Sequence, residues 1–217
     1  MTKHFQNEIL RLKKKILHVA AMVEESLQRA VAAITGSDGE LAKEVIGADP
    51  DIDIEEIEVE EECLKILALH QPVAIDLRYV IAVLKINSDL ERIADLAVNI
   101  AERAVTLAGF DRTPVPFDLD EMLDMTMKMV RDSVDALVSS DTAKAHHVCL
   151  FDDEIDGRHE RAFKIIKDKI KSQPDLTEYY VCLLSVSTYL ERIADHATNI
   201  AEDVVYMIEG EIVRHQL

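Results

Sequence analysis

The residues best placed to do chemistry in this chain are acids on a helical spacing, and the whole pattern occurs twice. Leu90-Glu91-Arg92-Ile93-Ala94-Asp95-Leu96-Ala97-Val98-Asn99-Ile100-Ala101-Glu102 returns as Leu190-Glu191-Arg192-Ile193-Ala194-Asp195-His196-Ala197-Thr198-Asn199-Ile200-Ala201-Glu202, with only Leu96/His196 and Val98/Thr198 differing. At about 100° per residue, Glu91, Asp95, Asn99 and Glu102 fall within roughly 80° of one another on a helix. Each copy is therefore a ladder of oxygen ligands. It continues the line of Val80, Leu84 and Val98, a packing face, whereas Arg78, Lys85, Asp89, Arg92 and Arg103 form a second stripe read as solvated. Carboxylates on a packing face are costly unless bases or bound cations neutralise them.

A second acidic set precedes each ladder. Asp49 and Asp53 stand at i, i+4, joined on that face by Glu56 and Glu60; Asp152 and Asp156 repeat the pair, with His159 in the place of Glu56. If the two helices of each half pair antiparallel, an Asp-xxx-Asp faces a Glu-xxx-Asp-xxx-Asn in both halves. So many like charges cannot share a small site without a counter-ion. Oxygen-rich sites with few His and no Cys suit Mg²⁺, Ca²⁺, Mn²⁺ or iron, and bridging carboxylates allow more than one ion per site. A single Glu-xxx-Asp pair would be read as a solvated face; repetition opposite a second acidic pair favours a site. His159 is open between a ligand and an exposed histidine, and the other histidines suggest no role.

The elements that must hold these ladders are long helices. Ile9, Leu12, Ile16, Val19, Val23, Leu27, Ala30 and Ile34 recur every three or four positions, the stripe of one helix over Phe5 to Ile34. Gly36-Ser37-Asp38-Gly39 ends it. A second helix is expected from about Glu40 to His70, and a third from Pro72 to about Leu107. Gly109 to Phe117, with Pro114 and Pro116, reads as a linker. The plan then repeats over about Asp118 to Val138, Asp141 to Ser172, and Pro174 to about Ile212. The domain division is residues 1–108, a linker at 109–117, and 118–217. The fold class is all-α, six helices in two sequence-related antiparallel three-helix bundles; short connections and an unsustained heptad pattern argue against a coiled coil.

Composition agrees. The 217 residues include only six Gly and five Pro, no Trp, and 48% hydrophobic residues, enough for a sizeable core. A net charge of −18 excludes nucleic acid as a partner, because phosphate contacts need a basic patch. Cys63, Cys149 and Cys182, odd in number and set among apolar neighbours, read as buried free thiols in a reducing compartment. Neither a signal peptide nor a bilayer-spanning segment is found, so the expectation is a cytoplasmic protein without membrane insertion. There is no Gly-rich phosphate loop, no Glu-xx-His pair of the di-iron oxidases, and no nucleophile-base-orienter set.

The doubled ladder, the His70-Gln71-Pro72-Val73-Ala74-Ile75-Asp76-Leu77-Arg78 joint and the ending Asp203-Val204-Val205-Tyr206-Met207-Ile208-Glu209-Gly210 resemble the PhoU family of phosphate-transport regulators. The resemblance covers nearly the whole chain. It implies the PhoU-like fold of two three-helix bundles and a multinuclear metal site in each half, on Glu91, Asp95, Asn99, Asp49 and Asp53 and on Glu191, Asp195, Asn199, Asp152 and Asp156. With Glu56 and His159 added from the helical faces, these are the candidate ligands for iron, Zn, Mn, Mg or Ca. It further implies a homodimer and a negative regulator linking the phosphate ABC transporter, through its ATPase, to a sensor histidine kinase. The second half departs from the joint pattern, with Asp175-Leu176-Thr177-Glu178 after Gln173-Pro174, so a role for Asp76 and Arg78 would belong to one half. The expectation is a non-enzymatic regulator; the alternatives are an acidic docking scaffold without metal, or a carboxylate-metal oxidase or hydrolase.

Overall fold

A computed structural model describes residues 3–110 and 113–210. Six helices carry the fold: α1 (Lys3–Thr35), α2 (Gly39–His70), α3 (Ala74–Leu107), α4 (Leu119–Ser139), α5 (Thr142–Ser172) and α6 (Thr177–Glu209). No strand occurs among the described residues. Asp111 and Arg112 of the expected linker lie outside the described residues, as does the expected continuation of α6 to Ile212.

Helix starts repeat between the halves. Asp38 caps α2 by accepting from the Glu40 and Leu41 amides at 3.1 and 3.0 Å, and Asp141 caps α5 by accepting from the Lys144 amide at 3.0 Å. The expected proline starts shift slightly. Pro72 lies outside any helix, between Gln71, left-handed at φ 46° and closing α2, and the extended Val73, and α3 begins at Ala74. Pro174 opens a 3-10 turn over Pro174–Leu176 before α6. Inside α2, Pro50 lacks the N–H that would bond the Ile46 carbonyl, beside the acidic pair Asp49 and Asp53.

Each half is a three-helix bundle, α1–α2–α3 and α4–α5–α6, and the halves join through α3 against α6 and α1 against α4. The apolar part of the doubled motif forms this centre: Leu90, Ile93, Ala94, Ala97, Ile100 and Ala101, and their counterparts Leu190, Ile193, Ala194, Ala197, Ile200 and Ala201, are all buried. Alanines at every turn let neighbouring helices approach closely. Register across the seam is antiparallel, since Lys85 Nζ donates to Asp203 Oδ1 at 2.8 Å and Asp89 Oδ1 meets His196 Nδ1 at 2.8 Å.

This seam corrects the reading of a solvated stripe. Arg92 is exposed, but Lys85 and Asp89 are half-buried between the halves, and Arg78 and Arg103 are half-buried too. Lys85 and Asp89 thus face α6, and only Arg92 of the five is exposed. The linker is fastened as well, Tyr179 Oη donating to the Thr113 carbonyl at 2.8 Å with its ring 5.5 Å from Phe110. No helix among the described residues is long and apolar enough to cross a membrane.

Candidate metal centres

Both ladders lie at the rim of the core. Glu91, Asp95, Asn99, Glu191 and Asn199 are half-buried and Asp195 more exposed, while the Ile and Ala residues between them point inward. The 3.6-residue period alone achieves this, because an acid every fourth residue drifts only slowly around a helix whose other face is packed.

The antiparallel pairing sets the second-helix acids against the ladders. In the first half Asp49 feels Asp95, while Glu91 feels both Glu56 and Asp53. In the second half Asp152 feels Asp195, and Glu191 feels Asp156 and Asp152. Burial, and then these like charges, raise the carboxyls of Asp49, Glu56, Glu91, Glu191 and Asp195 above their ordinary range. Asp152 is pushed furthest, to about 6. The Thr198 hydroxyl beside it pulls the other way, yet no hydrogen bond of good geometry reaches its buried Oδ1. Half-buried carboxylates that repel one another, with an orphaned oxygen among them, are a donor set that fits hard or borderline cations. The acids nonetheless stand apart: among the described residues, the only three acid, His or Cys ligand atoms within 4.8 Å of one another lie elsewhere, on His4, Glu8 and His70.

Several residues orient the candidate ligands. In the first half Asn87, buried on α3, donates Nδ2 to Glu56 Oε1 at 2.8 Å and to the Glu56 carbonyl at 2.9 Å. One hundred residues on, Ser187 replaces Asn87, and its Oγ lies 2.9 Å from His159 Nδ1. The two halves have therefore exchanged both members of the pair, Glu56 with Asn87 for His159 with Ser187. Since the Ser187 hydroxyl also reaches Met122 Sδ at 3.8 Å, the proton pattern that uses every group has His159 Nδ1–H donating to Ser187. That tautomer leaves Nε2 as a lone-pair donor. His159 is thus half-buried and held, and burial lowers its pKa.

The two asparagines differ. Asn99 Nδ2 donates to the Asp95 carbonyl at 2.8 Å, within its own helix. Asn199 Nδ2 reaches across the seam to Asp89 Oδ1 at 3.3 Å. Asp89, assigned to the solvated stripe from sequence, instead orients Asn199 and His196. Lys85, Asp89, Asp152, Asp195, Asn199 and Glu202 line a groove of about 720 Å³. Sequence alone could have flagged Asn87 and Ser187, as polar residues at equivalent places in apolar runs, but Asp89 needed the seam.

A family model described as the PhoU domain matches residues 16–104 and 119–204. The chain belongs to the PhoU family. The PhoU homolog 1 of Thermotoga maritima, a phosphate-specific transport system accessory protein, is 34% identical over 99% of this chain and 93% of its own length. The Aquifex aeolicus homolog, named likewise, is 37% identical over 96% of this chain and 95% of its own. Among solved structures, the crystal structure of Pseudomonas aeruginosa PhoU superposes with a TM-score of 0.92 at 32% identity, covering 95% of this chain and all of that one. That of the phosphate transport system regulatory protein PhoU from Streptococcus pneumoniae gives 0.85 at 29% identity, over 96% and 99% of the two chains. The six-helix fold is therefore the PhoU fold.

The cysteines belong to neither ladder. Cys63 and Cys182 are buried and Cys149 half-buried, all as free thiols. Burial pushes Cys63 up to about 12 and Cys149 to about 11, with Glu202 and Asp152 adding to the latter, so neither is a thiolate at neutral pH.

Proposed function

We propose that this chain is a cytoplasmic, non-enzymatic regulator of phosphate uptake that restrains the phosphate transporter and the associated starvation signalling through protein contacts, and that it binds metal in both halves. The observation that carries the reading is the family match over nearly the whole chain, to relatives named as accessory and regulatory proteins of phosphate transport. The transporter ATPase and a sensor histidine kinase are the proposed partners, with a homodimer as the working form. Exposed apolar side chains at the α2–α3 joint, among them Leu69, Val73 and Ile75, suit a protein that acts by docking.

In the first half, Asp49, Asp53, Glu56, Glu91, Asp95 and Asn99 would hold metal; in the second, Asp152, Asp156, His159, Glu191, Asp195 and Asn199. Bound there, divalent cations supply the positive charge that offsets the repulsion between α2 and α3 and between α5 and α6. The chain's own work is orientation: Asn87 fixes Glu56, Ser187 fixes the His159 ring, and Asp89 turns Asn199. His159 gives the second half a nitrogen donor where the first has a carboxylate, so the second site is expected to favour borderline metals such as Zn²⁺ or Fe²⁺ more strongly.

The regulatory reading is tested by deleting the gene and assaying alkaline phosphatase in phosphate-replete cells. Derepressed activity is expected; unchanged activity would contradict the negative role.

A further inference from the structure

We propose a third metal site, separate from both ladders, built by His4, Glu8 and His70 and suited to one borderline divalent ion of the Zn²⁺ type. His4 and Glu8 are i, i+4 near the start of α1, and His70 is the last residue of α2. One ligand atom from each lies within 4.8 Å of the other two. His70 closes α2 14 residues beyond Glu56, about 21 Å along the helix, so the cluster shares no ligand with the first ladder.

Three features distinguish the cluster from a chance surface group. First, Glu8 is a carboxylate only 7% exposed, with an imidazole nitrogen on each oxygen: Oε2 pairs with His70 Nε2, and Oε1 lies 3.3 Å from His4 Nε2. The His4–Glu8 contact already has the roughly 3.3 Å spacing of donor atoms around a tetrahedral Zn²⁺ at its usual bond lengths. Second, the His70 ring is held by neighbours, with the Phe5 ring centroid at 5.1 Å and that of His4 at 5.7 Å. Third, two imidazoles and one carboxylate are a Zn²⁺ donor set, and the exposed His4 side leaves a fourth position open to water.

Lys65 is the competing neutraliser, its Nζ 3.5 Å from Glu8 Oε1. It also lies 3.3 Å from Glu62 Oε1, so it retains a carboxylate partner when an ion takes Glu8. Glu62, like Glu8, is buried and keeps the local charge negative, which favours a cation. Occupied, the site ties the first turns of α1 to the end of α2, beside the Gln71-Pro72 joint.

The test uses the full-length chain, stripped with chelator and titrated with Co²⁺, then with Zn²⁺, in wild type, His4→Ala and His70→Gln. Both ladders stay intact in all three, so only this cluster differs between them. Wild type is expected to develop the visible d–d bands of a four- or five-coordinate nitrogen-containing site, lost on adding Zn²⁺. His4→Ala and His70→Gln should lack that component and bind one fewer Zn²⁺ per chain, or bind it at least tenfold more weakly. His4 is exposed, so its variant folds and keeps the test decisive even where His70→Gln does not. Equal Zn²⁺ stoichiometry and an unchanged Co²⁺ spectrum in His4→Ala would overturn the site, leaving Glu8 as a carboxylate held by His70 and Lys65 alone.

Discussion

Among single residues, the charge problem is sharpest at Asp152, whose carboxyl is pushed to about 6 by burial and by Asp195 and Asp156. A folded-state value above the ordinary 3.8 means that the folded chain holds this proton more tightly than the unfolded chain does. The group therefore costs nothing below about pH 4. Its cost grows as pH rises toward about 6 and is complete above that. In metal-free protein, Asp152→Asn should raise stability at pH 7 by about 1 kcal/mol, a figure already reduced for solvent reaching a half-buried groove, or about 2–4 °C in melting temperature. Thermal melts in chelator across pH 4–8 check this; a lower melting temperature in the variant would show the carboxylate to be stabilising. The same melts with divalent cation added should reverse the order, because the wild-type carboxylate then gains a partner. The repeat made this acid legible as a candidate ligand. Its orphaned oxygen was not, since that depends on which neighbours fail to reach it.

Within the elements, the doubled motif divides its duties by face. Truncating its inward side, as in Ile100→Ala or Ile200→Ala, should cost about 2–5 kcal/mol in denaturant unfolding, because both are fully buried in the central layer. Truncating the exposed Glu102 should change stability by no more than about 0.5 kcal/mol. The end of α6 is a further fixed point. Gly210 has φ 79°, and a Cβ there would stand 3.3 Å from the Arg78 guanidinium, so Gly210→Ala should destabilise by about 1 kcal/mol. Helix boundaries were readable to within a few residues because the apolar periods are long and the caps, Asp38 and Asp141, are strong local signals. The proline joints were read less accurately. Pro72 and Pro174 mark the breaks, but whether the chain leaves them extended or through a 3-10 turn is set by packing.

For the whole molecule, the seam between the halves explains what the repeat left unexplained. The α3–α6 contact is unequal at its two ends: His196 bonds Asp89, whereas Leu96 is buried in the core, and Tyr189, the counterpart of Asp89, packs against that core. No single-helix wheel can foresee this, because the charged stripe of α3 finds its partners more than a hundred residues away in the chain. Lys85→Met removes the cation beside the buried Asp203 and should weaken the joined halves by about 1–3 kcal/mol, read as a lower denaturation midpoint. On the function proposed above, each of the two ladders, with its facing helix, holds metal in a regulator of phosphate transport. Metal content per chain, measured by mass spectrometry on protein purified without chelator, tests it most directly when wild type is compared with Glu91→Ala/Asp95→Ala and Glu191→Ala/Asp195→Ala. Metal should be bound by wild type and fall in each double variant, the remaining half keeping its share. A metal-free wild-type chain, or double variants with unchanged metal content, would contradict the account.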